Sequence, residues 1–198
     1  LEEGFPFVTH GRTARMEEHD WFDIDGEKAF RQATSHLIGL GHQQIGLVGG
    51  GKGFYSAQLR AKGFQKMMEE SGLEIAPSME TQGNLTGRGG EEAAHELLKT
   101  PPRPTAILCA NDATALGVIK AAMELGFQIP NQLSVIGYDG IALGGYLQPP
   151  LTTLTFSIEE SGKEVVELLL RRLKDPGLPF ISRLASATLK LRGSEGPK

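Results

Sequence analysis

Short aliphatic and β-branched runs alternate with segments of helical periodicity along almost the whole chain, and this alternation restricts the fold more than any other feature. Strands that alternate with helices of this length are typical of strand-helix-strand units, whose strands pair in parallel. We therefore predict an α/β protein with a doubly wound, largely parallel sheet. The predicted strands lie at 5–9, 44–48, 79–83, 105–109, 133–138, 152–156 and 187–191.

Five helices are predicted between these strands, from apolar residues that recur every three or four positions. Asp25 is a suitable cap for the first helix, and Gly41 can end it in the left-handed conformation. Ser157 and Glu160, three residues apart, form a capping-box pattern at the start of the last. The other three helices are expected from Ser56 to Gly72, from Thr86 to Lys99 and from Asn111 to Gly126.

The composition is that of an ordinary globular protein, with 39% hydrophobic and 22% charged residues among 198. The net charge of −4 is spread over interspersed charges, which argues against nucleic acid or an anionic membrane as a partner of this stretch. Cys109 is the single cysteine, and no apolar run reaches membrane-spanning length. We expect a soluble, cytoplasmic protein without a membrane partner, whose residues 193–198 are dispensable.

Motifs for catalysis, nucleotides or metals fail in detail. The glycine run at 49–53 follows a strand and precedes a helix, as phosphate-binding loops do. A Walker loop requires Ser or Thr after Lys52, however, and the dinucleotide fingerprint starting at Gly51 requires glycine where Ser56 stands. No nucleophile elbow and no Cys/His pair at metal-ligand spacing occurs, and the doubled carboxylates are typical of solvated helix faces. We therefore predict no catalytic residue, no metal site and no cofactor.

Polar residues at the carboxyl ends of predicted strands form the candidate site, because ligands of open α/β sheets bind there. Asn111 and Asp112 follow one strand and Asp139 follows the next. Arg60 lies one turn after Ser56, at the same end of its helix. An amide, a carboxylate and a guanidinium group together suit a ligand with neighbouring hydroxyl groups. Plainer interpretations remain open: a helix cap at Asn111 or Asp112, a turn at Asp139 and a surface charge at Arg60.

Six segments occur in a characteristic order and spacing: HLIGLGHQQIGLVGG, LRAKGF, PTAILCANDATALGVIKA, QLSVIGYD, QPPLTTLTF and LKLRGS. Together they resemble the effector-binding core of lac-repressor-type (LacI/GalR) bacterial transcription regulators, over nearly the whole chain. The resemblance implies a two-lobed, type I periplasmic-binding-protein-like fold with doubly wound parallel sheets. It also implies that a small effector, usually a sugar or nucleobase, binds in the cleft between the lobes.

The resemblance implies three chain crossings between the lobes, near 24, 156 and 178. The amino-terminal lobe would contain residues 1–24 and 156–177, and the carboxy-terminal lobe residues 25–155 and 178–198. Family members begin with a helix-turn-helix and the first half of the amino-terminal lobe, and neither is found in this sequence. We therefore expect the amino-terminal lobe to be incomplete and the chain to be a fragment.

Matched residue by residue, the resemblance implies effector contacts from Arg60, Asn111, Asp139 and Ser56. Leu85 stands where many members place an aromatic ring for stacking. Gly11, flanked by His10 and Arg12, stands where many place an aspartate. We therefore add Leu85, His10 and Arg12 to the predicted effector site and leave the effector open. Asn111 is expected to bind the effector, and Asp112 is expected to cap the helix and brace it.

The function implied is the sensing and dimerisation module of a sugar-responsive regulator. Effector binding would change the angle between the lobes and so the operator affinity of a homodimer, whose DNA-binding headpiece is absent from this chain. The helix around Leu116 and the strand and loop after Gln148 are the expected dimer seam. The alternative is a transport-type sugar-binding protein of the same fold; a nucleotide-using α/β enzyme is disfavoured by the failed glycine motif.

Overall fold

The computed structural model describes residues 5–51, 53–99 and 101–198, so Lys52 of the glycine run lies outside the described residues. The strands are β1 (Val8–His10), β2 (Asp20–Ile24), β3 (Ile45–Gly49), β4 (Glu80–Gln82), β5 (Ala106–Cys109), β6 (Ser134–Asp139), β7 (Thr152–Thr155), β8 (Ser182–Ala185) and β9 (Thr188–Lys190). The helices are α1 (Gly26–Gly39), α2 (Tyr55–Glu70), α3 (Gly87–Lys99), α4 (Asp112–Glu124) and α5 (Ile158–Lys174). Short 3-10 turns lie at Pro77–Met79 and Ala142–Tyr146.

The chain divides into two compact units. The smaller unit contains residues up to Asp25 and Phe156–Ser186, and the larger unit contains Gly26–Thr155 and Ala187–Lys198.

The larger unit is built on a six-stranded sheet in the order β4-β3-β5-β6-β7-β9. All neighbouring strands pair in parallel except β9, which is antiparallel to β7. Helix α1 packs against α2, and α3 packs against α4. Ile107 and Cys109 of β5 are fully buried in a core cluster with apolar residues of α3 and α4. The predicted α/β fold with parallel sheets is confirmed.

Helices α3 and α4 approach each other closely because glycines face the contact. A β-carbon at Gly117 would lie 1.8 Å from the carbonyl oxygen of Gly87, and one at Gly90 would lie 2.2 Å from that of Thr114. Atoms cannot overlap at these distances, so both positions require glycine for the two helices to pack this closely.

The smaller unit contains a three-stranded parallel sheet, β1-β2-β8, against which α5 packs. The N-cap of α5 is the predicted one, since Ser157 accepts a hydrogen bond from the backbone N–H of Glu160 (3.1 Å). Strand β2 is buried along its whole length, including Asp20, whose carboxylate accepts hydrogen bonds from Arg172 Nε (2.7 Å) and from the backbone N–H of Ile181 (2.6 Å). A buried carboxylate of this kind is tolerated because it is paired.

Strands β2 and β8 were not expected from the sequence. They change which unit residues 178–186 are assigned to. Because β8 pairs with β2, residues 178–186 belong to the smaller unit, and the third boundary falls after Ser186 instead of near 178.

The residues after Gly193 are not dispensable, contrary to the sequence-based expectation. Ser194 is fully buried; its hydroxyl donates to the carbonyl of Val135 (2.6 Å) and accepts from the backbone N–H of Thr152 (2.8 Å). The carbonyl of Gly196 is bonded to Nε2 of the buried His42 (3.0 Å). We call residues 193–198 the terminal strap; it closes the amino ends of β6 and β7.

Candidate functional site

The carboxyl ends of β3, β5 and β6 lie at one edge of the larger unit's sheet, because these strands are parallel neighbours. The polar residues predicted from the sequence, apart from His10 and Arg12, stand at this edge. Asp139 ends β6, Asn111 and Asp112 lie just beyond the end of β5, and Arg60 lies on α2.

Arg60 is held by two contacts and keeps an unpaired nitrogen. Its Nη1 donates a hydrogen bond to the carbonyl of Ala110 (2.6 Å), and its guanidinium carbon lies 3.9 Å from the ring centre of Tyr138. The Nε atom is buried and has no hydrogen-bond partner in the described part of the chain. A buried donor without a partner is uncommon, because its desolvation costs about 1–3 kcal/mol. Arg60 thus keeps one buried donor that no described residue satisfies.

Tyr138 was not among the predicted site residues, although it is part of this arrangement. It is almost fully buried on β6, directly before Asp139, and its ring supports the guanidinium group of Arg60 by a cation-π contact. An aromatic residue at the end of a buried strand is also typical of ordinary core, so the sequence offered no signal that distinguished the two roles.

Asp139 is a strained and electrostatically unfavourable position for a carboxylate. Its backbone φ is +119°, a conformation that side chains other than glycine rarely adopt. Partial burial raises the pKa of Asp139 to about 6; the charge of Arg60 opposes this rise, and the carboxylate of Asp112 adds to it. Strain together with an under-stabilised charge at a strand end is typical of a functional group.

Asn111 takes the capping role that the sequence analysis assigned to Asp112. Asn111 caps α4, since its Oδ1 accepts from the backbone N–H of Thr114 (2.9 Å), and its Nδ2 donates to the carbonyl of Leu85 (3.1 Å). Asp112 is fully buried and accepts from the hydroxyl of Thr153 (2.6 Å) and from the backbone N–H of Ile141 (2.8 Å). The expectation that Asp112 caps the helix is wrong, and both ends of the Asn111 amide already have protein partners.

Asp112 stabilises the turn that follows Asp139 through its hydrogen bonds. Burial raises its pKa, while the hydrogen bonds from Thr153 and Ile141 act in the opposite direction. These bonds tie the start of α4 to β7 and to the turn after Asp139. The position of Asp139 is therefore fixed by a neighbour that does not itself face a ligand.

Ser56 and Leu85 border the same edge. Ser56 is half-buried in the first turn of α2, one helical turn before Arg60. Leu85 is half-buried, with a left-handed φ of +59° that follows a φ of +49° at Asn84. Its carbonyl receives the hydrogen bond from Asn111, so its backbone is anchored to the start of α4.

His10 and Arg12 belong to the smaller unit. His10 is exposed at the end of β1. Arg12 Nε donates to Asp23 Oδ2 (2.8 Å), and its Nη2 is buried without a hydrogen-bond partner in the described part of the chain. Arg12 is thus paired with a buried aspartate of β2, a partner that the sequence did not indicate.

None of the helices described here has the length and apolar character needed to cross a membrane.

Residues 34–195 match the family described as "Periplasmic binding protein-like domain". The chain is 34% identical over 184 residues to the "Ribose operon repressor" of Escherichia coli (strain K12), covering 88% of this chain and 56% of the relative. It is 41% identical over 154 residues to the "HTH-type transcriptional repressor PurR" of Haemophilus influenzae (strain PittEE), covering 77% of this chain and 46% of the relative. The chain thus spans about half the length of these curated relatives.

Solved structures give the same result. The "transcriptional regulator CelR-cellobiose complex" aligns with a TM-score of 0.93 at 28% identity, covering 98% of this chain and 60% of that chain. A LacI-family regulatory protein from Chloroflexus aggregans aligns with a TM-score of 0.90 at 34% identity (98% and 70%). A LacI-family regulator from Enterococcus faecium with bound ribose aligns with a TM-score of 0.87 at 28% identity (100% and 73%).

The chain therefore belongs to the periplasmic binding protein-like domain family. Within it, the likeness to LacI/GalR effector-binding cores, first indicated by the six sequence segments, is confirmed.

Proposed function

We propose that this chain is the effector-sensing module of a bacterial DNA-binding transcription regulator and that its effector is a sugar or sugar derivative. The single observation that carries the proposal is the placement of Arg60 and Asp139 at the same strand ends, where the charge of Arg60 acts on the Asp139 carboxylate. The guanidinium group is clamped on Tyr138 with a buried, unpaired Nε, and the carboxylate stands in strained backbone at the end of β6.

The chemistry of this pair suits a polyol. The Asp139 carboxylate offers several acceptor positions, whereas the guanidinium group of Arg60 offers donors. A hydroxyl group both donates and accepts, so two neighbouring hydroxyls can satisfy both side chains at once. Ser56 and Leu85 complete the proposed site with one hydroxyl and one apolar surface.

The relatives support the same class of ligand. One is named for the ribose operon, and solved structural neighbours contain ribose or cellobiose. In our proposal Asn111 acts mainly through the backbone of Leu85, because its amide is already bonded on both sides. His10 and Arg12 stay proposed contacts from the smaller unit.

The DNA-binding part of the function rests on the names of the relatives, which are transcriptional repressors and not enzymes. We propose that operator DNA is bound through a headpiece outside this chain, in a cytoplasmic homodimer.

The proposed dimer seam is the face of α4 that carries Leu116, with the segment after Gln148. Upstream sequence that encodes a helix-turn-helix would support regulation, whereas a signal peptide would support the transport alternative.

Calorimetric titration of the full-length protein with D-ribose, cellobiose and adenine tests the ligand class. Saturable binding of a sugar, with no heat from adenine, is the expected result. Tight binding of adenine alone would contradict the sugar assignment, and failure of all three would require a wider panel of sugars before the site was abandoned. An operator-binding assay with and without the bound sugar then tests whether the ligand changes affinity for DNA.

A further inference from the structure

Three side chains with metal-binding chemistry converge on the outer face of the α3/α4 pair. Glu91 and His95 lie one helical turn apart on α3, and Glu124 lies in the last turn of α4. Their carboxylate oxygens and imidazole nitrogen all lie within 4.8 Å of one another. His95 Nε2 is 3.5 Å from Glu124 Oε2. We call Glu91, His95 and Glu124 the helix-pair triad.

The spacing of the triad is set by the backbone and not by the side chains alone. The glycines at Gly90 and Gly117 allow α3 and α4 to approach closely, in turns of the two helices that lie near the triad. Glu91 directly follows Gly90 in the chain. Ligand groups mounted on rigid, close-packed elements are already near the geometry that a bound ion needs.

The two carboxylates of the triad already contact a cationic side chain, that of Lys120. The ammonium group of Lys120 contacts the carboxylate of Glu91 and lies 3.0 Å from that of Glu124. A positive group therefore already lies between the two carboxylates, on a side chain that is 55% exposed to solvent.

We propose that Glu91, His95 and Glu124 bind a divalent transition-metal ion, with Zn²⁺ as the best-suited ion, and that Lys120 swings into solvent when the ion binds. One imidazole nitrogen with two carboxylate oxygens is a donor set that Zn²⁺ accepts readily, with water in the fourth position. Bonds of about 2.0 Å in a tetrahedron place ligand atoms roughly 3.3 Å apart. The His95–Glu124 distance is already close to that value, so Glu91 makes the main adjustment.

Untagged protein titrated with Zn²⁺ by calorimetry tests this site, and Co²⁺ serves as a spectroscopic probe of its coordination. One equivalent is expected to bind saturably, with visible Co²⁺ absorption typical of four-coordinate geometry. His95→Ala is expected to weaken Zn²⁺ binding about tenfold or more, since it removes the only nitrogen ligand. Lys120→Met is expected to tighten binding, because it removes the competing ammonium group.

A control variant makes the result specific. Glu92→Gln changes a neighbouring carboxylate on α3 that pairs with Arg88 outside the triad. It is expected to bind Zn²⁺ as the parent protein does. The proposal is wrong if His95→Ala binds Zn²⁺ as tightly as the parent, or if Lys120→Met weakens binding. Circular dichroism of each variant checks that the fold is unchanged, and no step depends on the identity of the effector.

Discussion

The polar groups at the amino ends of the strands in the larger unit's sheet are satisfied by hydrogen bonds, and those at the carboxyl ends are less so. At the amino edge, the terminal strap satisfies what the strands leave open: Ser194 uses its hydroxyl twice, and Gly196 is bonded to His42. At the carboxyl edge, Arg60 keeps a buried unpaired nitrogen and Asp139 sits in strained backbone with a raised pKa. The hydrogen bonds at the amino ends stabilise the fold, whereas the groups at the carboxyl ends remain available for a ligand.

Replacement of Arg60 should give the largest effect, and it should fall on binding. Arg60→Ala is expected to cost roughly 2–5 kcal/mol of effector binding, because it leaves one partner of a charged contact unpaired. Calorimetry with whichever sugar the proposed titration shows to bind measures the loss. Arg31→Ala is the matched control, since Arg31 pairs with Glu70 on the helix surface. Equal affinity of Arg60→Ala and parent would remove Arg60 from the site.

Asp139→Asn should separate stability from binding. The pKa of Asp139 in the folded protein, about 6, lies above its ordinary value of 3.8, so the folded state binds more protons between these pH values. The stability of the parent protein should therefore fall as pH rises from about 4 to about 6. The variant lacks this loss and should be more stable at pH 7.5 by up to about 3 kcal/mol, while it binds effector more weakly.

Denaturant unfolding of Asp139→Asn and parent at pH 4 and pH 7.5 measures this difference. Asp175→Asn, at an exposed aspartate, is the control and should follow the parent at both pH values. A variant that is less stable than the parent at pH 7.5 would contradict the view that the Asp139 charge is poorly stabilised without effector.

Ser194→Ala tests the opposite edge. It leaves the backbone N–H of Thr152 and the carbonyl of Val135 without their buried partner, and it is expected to lower the free energy of unfolding by about 1–3 kcal/mol. Effector affinity should not change, because the strap lies at the amino ends of the strands. Ser78→Ala, on an exposed turn, is the control for unfolding. A change in effector affinity without a change in the free energy of unfolding would contradict the division of roles between the two ends of the strands.

Asn111→Ala should give the smallest effect. Loss of the cap on α4 is expected to lower the free energy of unfolding by about 1 kcal/mol. Its effect on effector affinity should be less than tenfold, because the amide reaches the site only through Leu85. An affinity loss as large as that of Arg60→Ala would restore the direct contact expected from the sequence.

The sequence predicted the parts of the fold that rest on uninterrupted apolar runs. The strands after Gln44, Thr105 and Leu133 were expected within one or two residues of where they lie, because buried parallel strands leave this simple pattern. Strand β2 leaves no such pattern: Asp20 and Asp23 interrupt it, and each is made tolerable by an arginine that sequence spacing does not connect to it.

The site was predictable in its location and less so in its roles. The strand ends drew attention to Arg60, Asn111 and Asp139, but either Asn111 or Asp112 is chemically able to cap a helix. Which one does so depends on Thr153, which lies on another strand of the same sheet. The helix-pair triad was not expected at all, because Glu124 is distant from His95 in the chain and only the packing of α3 on α4 joins them.

The terminal strap also has a consequence for biosynthesis. The larger unit starts at Gly26, yet β9 and the strap that complete it are translated only after the whole of Phe156–Ser186. A nascent chain that has reached Thr155 therefore exposes the free edge of β7 and the open amino ends of β6 and β7. We therefore expect the larger unit to complete its fold only after residues 187–198 have been synthesised.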